Sequence, residues 1–327
     1  MENKEPTYVF SSSPHIRNPR NTRFIMLNVC ISLLPACVAG IVFFGWLAAA
    51  ILALSVASAV ISEFVFLIIS GMSFKQICAQ FDFTSCVTGL LVGMTIGVNY
   101  PLYAPVFGSM FAVIVVKMLF GGTGKNLVNP AIAGRIFIFI SFQSVVTEWV
   151  FPSGAPVTGA TELAAMLETG ALPSVPFLDM FLGTNLVGCI GETCKLALII
   201  GALYLCVMRI IDIRFPLIYI ATTGLFAVAL NGFDFAYFLP SVFMGGLILG
   251  AFFMATDYVT TPNTKAGNYI YFFLLGILTA GLRQATGMET VSFAILLMNL
   301  LIPLIDKIIV NKPFGFVRIK KSRRVSK

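Results

Sequence analysis

The sequence predicts an all-α polytopic membrane protein of about ten transmembrane helices, arranged as two five-helix inverted repeats with broken helices. Three observations carry that expectation. The 327 residues are 58% hydrophobic and only 11% charged, far outside the range of a soluble domain. Apolar runs approaching the twenty residues a bilayer needs recur along the chain. Two of those runs are interrupted by glycine in the same pattern.

Residues 1–23 form a polar, basic N-terminal tail. It lacks an apolar core followed by a small-residue cleavage site and so reads as a retained cytoplasmic segment, not a secretory signal. Five apolar runs follow at 24–45, 47–70, 84–98, 102–120 and 130–147, making residues 24–147 a first five-helix repeat. Residues 148–191 form an exterior loop. Five more runs, at 192–208, 214–231, 238–255, 268–285 and 290–310, make residues 192–310 a second repeat, and 311–327 is a basic cytoplasmic tail.

Orientation follows from the basic residues, since short loops rich in Lys and Arg stay cytoplasmic. Arg17, Arg20 and Arg23 precede the first run, and Lys312, Arg318, Lys320, Lys321, Arg323, Arg324 and Lys327 follow the last, which puts both termini inside. Ten spans then place Lys75, Lys125, Arg209, Arg214 and Lys265 inside as well. The long loop between Arg135 and Lys195, which holds no Lys or Arg, falls outside. The C-terminal run Lys320, Lys321, Arg323 and Arg324 reads as a topology anchor that also meets anionic lipid headgroups, with docking of a cytoplasmic partner as the alternative, and nucleic acid is not an expected partner.

The third and eighth runs share Gly-Leu-x-x-Gly, at Gly89 to Gly93 and Gly246 to Gly250, each followed by a proline, Pro101 or Pro262. An odd number of spans per repeat would invert the second copy and bring the broken helices to a central site. The pattern also suits a secondary transporter or channel, which remains the rival reading. Chance in a chain with 28 glycines is the bland one.

The seven cysteines contain no CxxC pair, which argues against a zinc or iron–sulfur site built by this chain alone. The single histidine, His15, lies in the tail, so no intramembrane imidazole pair exists to hold a haem.

Three stretches could carry chemistry. In FGGTGKNLVNPAIAGRIF, residues 120–137, Gly121, Gly122 and Gly124 free the backbone, and Asn126 and Asn129 offer amides before Pro130 opens a helix. This is either a ligand-binding helix start or a plain cytoplasmic hinge, and it is not a Walker motif. In MATDYVTTPNTKAGN, residues 254–268, Thr256 and Asp257 lie at the end of an apolar span. Asp257 is either a functional ionisable group or a cap for a broken helix. In the exterior loop, Thr158-Gly159-Ala160-Thr161 precedes a helix-like run, and on local grounds Thr161 is most simply its cap. Glu63 in the second run and Asp257 are the candidates for an ion path, with Lys117 and Arg135 as counter-charges.

Together, in this order and spacing, the three stretches resemble the RnfD/NqrB family of membrane subunits over residues 20 to 310. The resemblance implies FMN joined by a phosphoester to Thr161, the last threonine of the S/T-G-A-T motif, with Thr158, Gly159 and Ala160 as its setting. Ala155, Pro156 and Val157 stand where the family often has an acidic residue. It implies a Gly121 to Asn129 segment that is the place to seek a second, non-covalent flavin such as riboflavin, and no catalytic residue in the strict sense. It further implies a subunit of a ferredoxin:NAD+ oxidoreductase complex in a bacterial cytoplasmic (inner) membrane, coupling electron transfer to Na+ or H+ transport. The partners implied are an exterior FMN-carrying subunit, ferredoxin- and NAD-interacting subunits, and a flavin transferase for maturation. The short N-terminal segment leans toward the RnfD type.

Overall fold

The computed structural model describes residues 20–143, 161–173, 175–184 and 186–310, and the backbone alone of 148–150 and 156–158. The chain folds as helices, α1 (Thr22–Phe44), α2 (Trp46–Ile69), α3 (Phe74–Gln80), α4 (Thr84–Met94) and α5 (Tyr103–Met110), the last continued as a π-helix over Phe111–Met118. After α6 (Pro130–Ser141) come α7 (Glu162–Thr169) and α8 (Phe177–Leu182) of the long loop. Then follow α9 (Lys195–Val207), α10 (Arg214–Leu230), a 3-10 turn (Phe235–Tyr237) leading into α11 (Phe238–Phe243), and α12 (Leu247–Leu249), continued as a π-helix over Gly250–Met254. The last two are α13 (Lys265–Thr286) and α14 (Val291–Ile308).

Each expected apolar run carries a helix. The helices α1, α2 and α14 are long and apolar enough to cross a bilayer unaided. Two bent pairs reach that length together, α3 with α4 at 71° and residues 235–243 with 247–254 at 68°. The chain is therefore a polytopic helical membrane protein. Large apolar side chains such as Val42, Trp46, Ile61, Ile69 and Val207 lie exposed on its outside, as lipid-facing surface requires.

Two details differ from the sequence reading. The loop is not purely helical: strands β1 (Glu148–Val150) and β2 (Pro156–Thr158) pair antiparallel, with Glu148 opposite Thr158. The first break also does not fall at the glycine motif. It lies at residues 81–83, where Phe83 adopts φ 64°, whereas Gly89 and Gly93 sit inside α4. There the glycines serve close packing, because a Cβ on Gly89 would lie 2.7 Å from the Ser55 carbonyl oxygen on α2. Ser55 completes that seam by donating to the Gly89 carbonyl at 2.6 Å and pairing with Ser109 at 2.8 Å. In the second pair the motif's Gly246 does lie in the break.

The helices pack in matched pairs. α2 contacts α4 and α5, as α10 contacts α11 and α13; α4 contacts α6, as the π-helix after α12 contacts α14; α1 lies against α9, and α6 against α14. The α1–α9 crossing is so close that a Cβ on Gly201 would overlap the Ser32 carbonyl. The α10–α13 pair is joined by Tyr219 and Thr279, whose hydroxyls are 2.8 Å apart in the core.

Candidate functional site

Two cavities lie at opposite ends of the bundle. The larger, about 530 Å3, is walled by the end of α4, the middle of α6, the start of α7, residues 186–195 and the break before α12. Thr161 lines it. The threonine caps α7, accepting a hydrogen bond from the Ala164 N–H at 3.3 Å, so the local reading of Thr161 as a cap is observed. The same geometry aims the positive end of a helix at the Thr161 hydroxyl, where an anion would be favoured. Burial pushes the neighbouring Glu162 carboxyl up. Thr158 ends β2, and Gly159 and Ala160 lie outside the described residues.

The floor of this cavity is charged. Arg135 on α6 pairs with Glu192 at 3.0 Å, and Lys195, at the start of α9, donates to the Glu192 backbone carbonyl. Arg283 meets Glu289 through one guanidinium nitrogen at 2.8 and 3.0 Å, and Glu289 accepts from the N–H groups of Gly246 at 3.3 Å and Val291 at 3.1 Å. Gly245, with φ +72°, and Gly246 let the backbone pass against these two carboxylates, where a Cβ would collide with Glu289 or Glu192. The Ser292 hydroxyl, buried on the cavity wall, has no hydrogen-bond partner.

The smaller cavity, about 100 Å3, brings together what the sequence suggested as partners: Asn126 and Asn129 of the glycine-rich turn, and Thr256 and Asp257. Asn129 caps α6 by accepting from Ala131 N–H at 3.0 Å, and its amide donates 3.0 Å to the Met254 carbonyl at the end of the π-helix. Asn126 closes its own turn onto the Val128 carbonyl at 3.0 Å, and Thr256 bonds back to Phe252 at 2.7 Å. Gly121 and Gly122, at φ +106° and +90°, shape the turn without lining the cavity. Asp257 does not cap the N-terminus of a broken helix. It lies past the C-terminus of one and accepts from the Thr260 hydroxyl at 3.2 Å, with no ion pair among the described residues.

Glu63 and Lys117 form a buried ion pair at 2.7 Å. Lys117 also donates to Ser85, at 3.1 Å, and to Thr84, while Ser85 donates to Glu63. Thr84 and Thr123 in turn donate to Asp82 at 2.5 and 2.8 Å. A continuous polar chain therefore runs from Glu63 on α2 to Thr123 in the glycine-rich turn. Arg135, expected as a second counter-charge for the ion path, instead serves the large cavity.

Sequence reasoning missed Asp82, Glu192, Glu289 and Asn299. The fully buried Asn299 amide lies 2.9 Å from the Tyr271 hydroxyl and, with its oxygen toward Asn129 N–H at 3.1 Å, also reaches the Thr260 carbonyl at 3.2 Å. Its signal was legible as the lone amide in the apolar run of α14, and that of Glu192 as a carboxylate at the edge of a span.

Comparison with known proteins matches residues 9–315 to the model described as NQR2, RnfD, RnfE family. The D subunit of the Na(+)-translocating ferredoxin:NAD(+) oxidoreductase complex of Acetobacterium woodii is 44% identical over 322 residues, 96% of this chain and 97% of that one. The proton-translocating counterpart from Clostridium ljungdahlii is 36% identical, over 95% of this chain and 97% of its own. The D subunit of the ion-translocating oxidoreductase complex of Stutzerimonas stutzeri is 34% identical, over 89% and 91%.

Proposed function

The chain belongs to the NQR2, RnfD, RnfE family, and from that premise we propose that it is the flavin-carrying D-type subunit of an ion-translocating ferredoxin:NAD+ oxidoreductase complex, with FMN joined through its phosphate to Thr161. One observation carries the flavin reading: Thr161 opens onto a cavity of about 530 Å3, well within the range of small-molecule sites, at the positive end of a helix. The residues fit the group. A mostly apolar chamber suits a ring system, and the unpartnered Ser292 hydroxyl with the Arg135 guanidinium offers polar contacts. The bound cofactor would supply one- and two-electron chemistry, and the chain's tasks are to tether, orient and tune it.

Ten spans in two inverted five-helix repeats account for the matched helix packing. They also account for the segregation of the cavities: ends placed outside by charge count line the large one, and ends placed inside line the small one. On this topology the tethered flavin faces the exterior, toward an FMN-carrying partner subunit, and both termini are cytoplasmic. The smaller cavity is where a second, non-covalent flavin would be sought. The polar chain from Thr123 to Glu63 is the candidate cytoplasmic entry for Na+ or H+. A two-electron drop of 30 mV releases roughly 1.4 kcal/mol, and moving one charge against 100 mV requires roughly 2.3, so a drop of some tens of millivolts per ion is the minimum.

The test is denaturing electrophoresis under ultraviolet light with intact mass, on chain co-expressed with a flavin transferase. Wild type is expected to fluoresce and carry one FMN. Thr161→Asn, which keeps a good helix cap but cannot form the ester, is expected to carry none. A wild-type chain without flavin would favour a transporter with no bound redox group.

A further inference from the structure

Around the break before α12, three cations, Arg135, Lys195 and Arg283, face two carboxylates, Glu192 and Glu289. Arg283 is committed to Glu289, and Lys195 is spent on a backbone carbonyl of Glu192. Arg135 alone answers the Glu192 carboxylate, and it does so with one of its five N–H groups, the only hydrogen bond it makes among the described residues. Its side chain is only partly exposed and lines the cavity. Across the wall, on α14, the Ser292 hydroxyl is buried without a partner. With Glu162 and Glu168 also on its wall, the cavity carries more carboxylates than cations, so what the site offers a ligand is local: the unused N–H groups of Arg135 and the Ser292 hydroxyl. Glu162 and Glu168 belong to α7, on the side where Thr161 would hold the phosphate.

We infer that Arg135, with Ser292, is a positioning residue for the isoalloxazine ring of the flavin tethered at Thr161, and that its guanidinium sets how readily that ring is reduced. The inference rests on the covalent-flavin reading above. Two electrons and one proton taken up by an isoalloxazine leave one negative charge on its pyrimidine side. The electrons come from reduced ferredoxin in the complex, or from dithionite in a titration, and the proton from water. A cation beside the ring stabilises that charge more in the reduced than in the oxidised ring. Glu192 holds the guanidinium in place and dilutes its field without cancelling it.

The experiment is potentiometric titration of the covalent flavin in the full chain, alongside its in-gel fluorescence. Arg135→Gln is expected to keep the flavin attached and to weaken the ring's reduction equilibrium about tenfold, about 30 mV for two electrons. Arg135→Lys should recover part of the shift. Ser292→Ala, which removes one hydroxyl and leaves every ion pair intact, is expected to move the potential the same way by less, and it keeps the test open if Arg135→Gln does not fold. Unchanged potentials in both variants, with flavin attached, would overturn the assignment while leaving Thr161 as the tether. Loss of attachment in Arg135→Gln, with Ser292→Ala unchanged, would put the guanidinium on the phosphate and overturn it as well. Absence of flavin from wild type would remove both readings together.

Discussion

Replacing Lys117 with methionine isolates the energetics on which the proposed ion entry depends. Methionine keeps most of the volume and apolar contact of the lysine stem, so little is lost to packing. What disappears is the ammonium 2.7 Å from Glu63, together with its bonds to Thr84 and Ser85. The pair is almost sealed, with side-chain exposures of 2% for Lys117 and 10% for Glu63. Apart from the small cavity that Lys117 lines, little is at hand to replace the lost partner, and among the described residues Glu63 keeps the Ser85 hydroxyl. Breaking a buried pair by removing one partner costs about 3–5 kcal/mol, whereas removing both charges is near neutral. Lys117→Met is therefore expected to lose about 3–5 kcal/mol, and Glu63→Gln combined with Lys117→Met to recover most of it. Equilibrium unfolding in mixed micelles of rising denaturing-detergent fraction, followed by circular dichroism, reads both. A single variant within about 1 kcal/mol of wild type, or a double variant as unstable as the single, would refute the reasoning.

Other perturbations probe separate parts of the account. Gly89→Ala forces a methyl into the α2 backbone at Ser55 and Val56 and is expected to destabilise by about 1–3 kcal/mol in the same unfolding assay. Asn129→Ala removes the α6 cap and orphans the buried Met254 carbonyl, together about 2–4 kcal/mol, and should weaken any ligand titrated into the smaller cavity. The Glu162 carboxyl is pushed up by burial, so the fold favours its protonated form. That stability is present below the unfolded value of about 4.3 and is lost as pH rises through the folded one. Glu162→Gln is expected to match wild type in acid and to exceed it at neutral pH in a stability-versus-pH series.

Much of the architecture was legible because a bilayer imposes length and composition on whatever crosses it. Each apolar run coincides with a helix, but α3, the first half of the first bent pair, lies between runs, and only the second glycine-interrupted run coincides with a break. What periodicity could not show is where a chain bends. The first break is made by Phe83 in a left-handed conformation, a residue with no sequence signature for it, while the glycines that drew attention serve helix contact. The site was legible in part for a related reason. Thr161, Asn126, Asn129, Thr256 and Asp257 stand out as polar groups in an apolar setting, and the structure brings the last four to one cavity. Which charge answers which was hidden, since pairing depends on contacts far apart in sequence: Arg135 with Glu192, Lys117 with Glu63.

The most direct measurement places the whole complex, with wild-type chain or with Thr161→Asn, in sealed membrane vesicles and follows NAD+ reduction and ion movement driven by reduced ferredoxin. Wild type is expected to do both, and Thr161→Asn, folded and assembled but without its flavin, to do neither. Ion movement at the wild-type rate in Thr161→Asn would contradict the account and assign the helical bundle to transport without a tethered electron carrier.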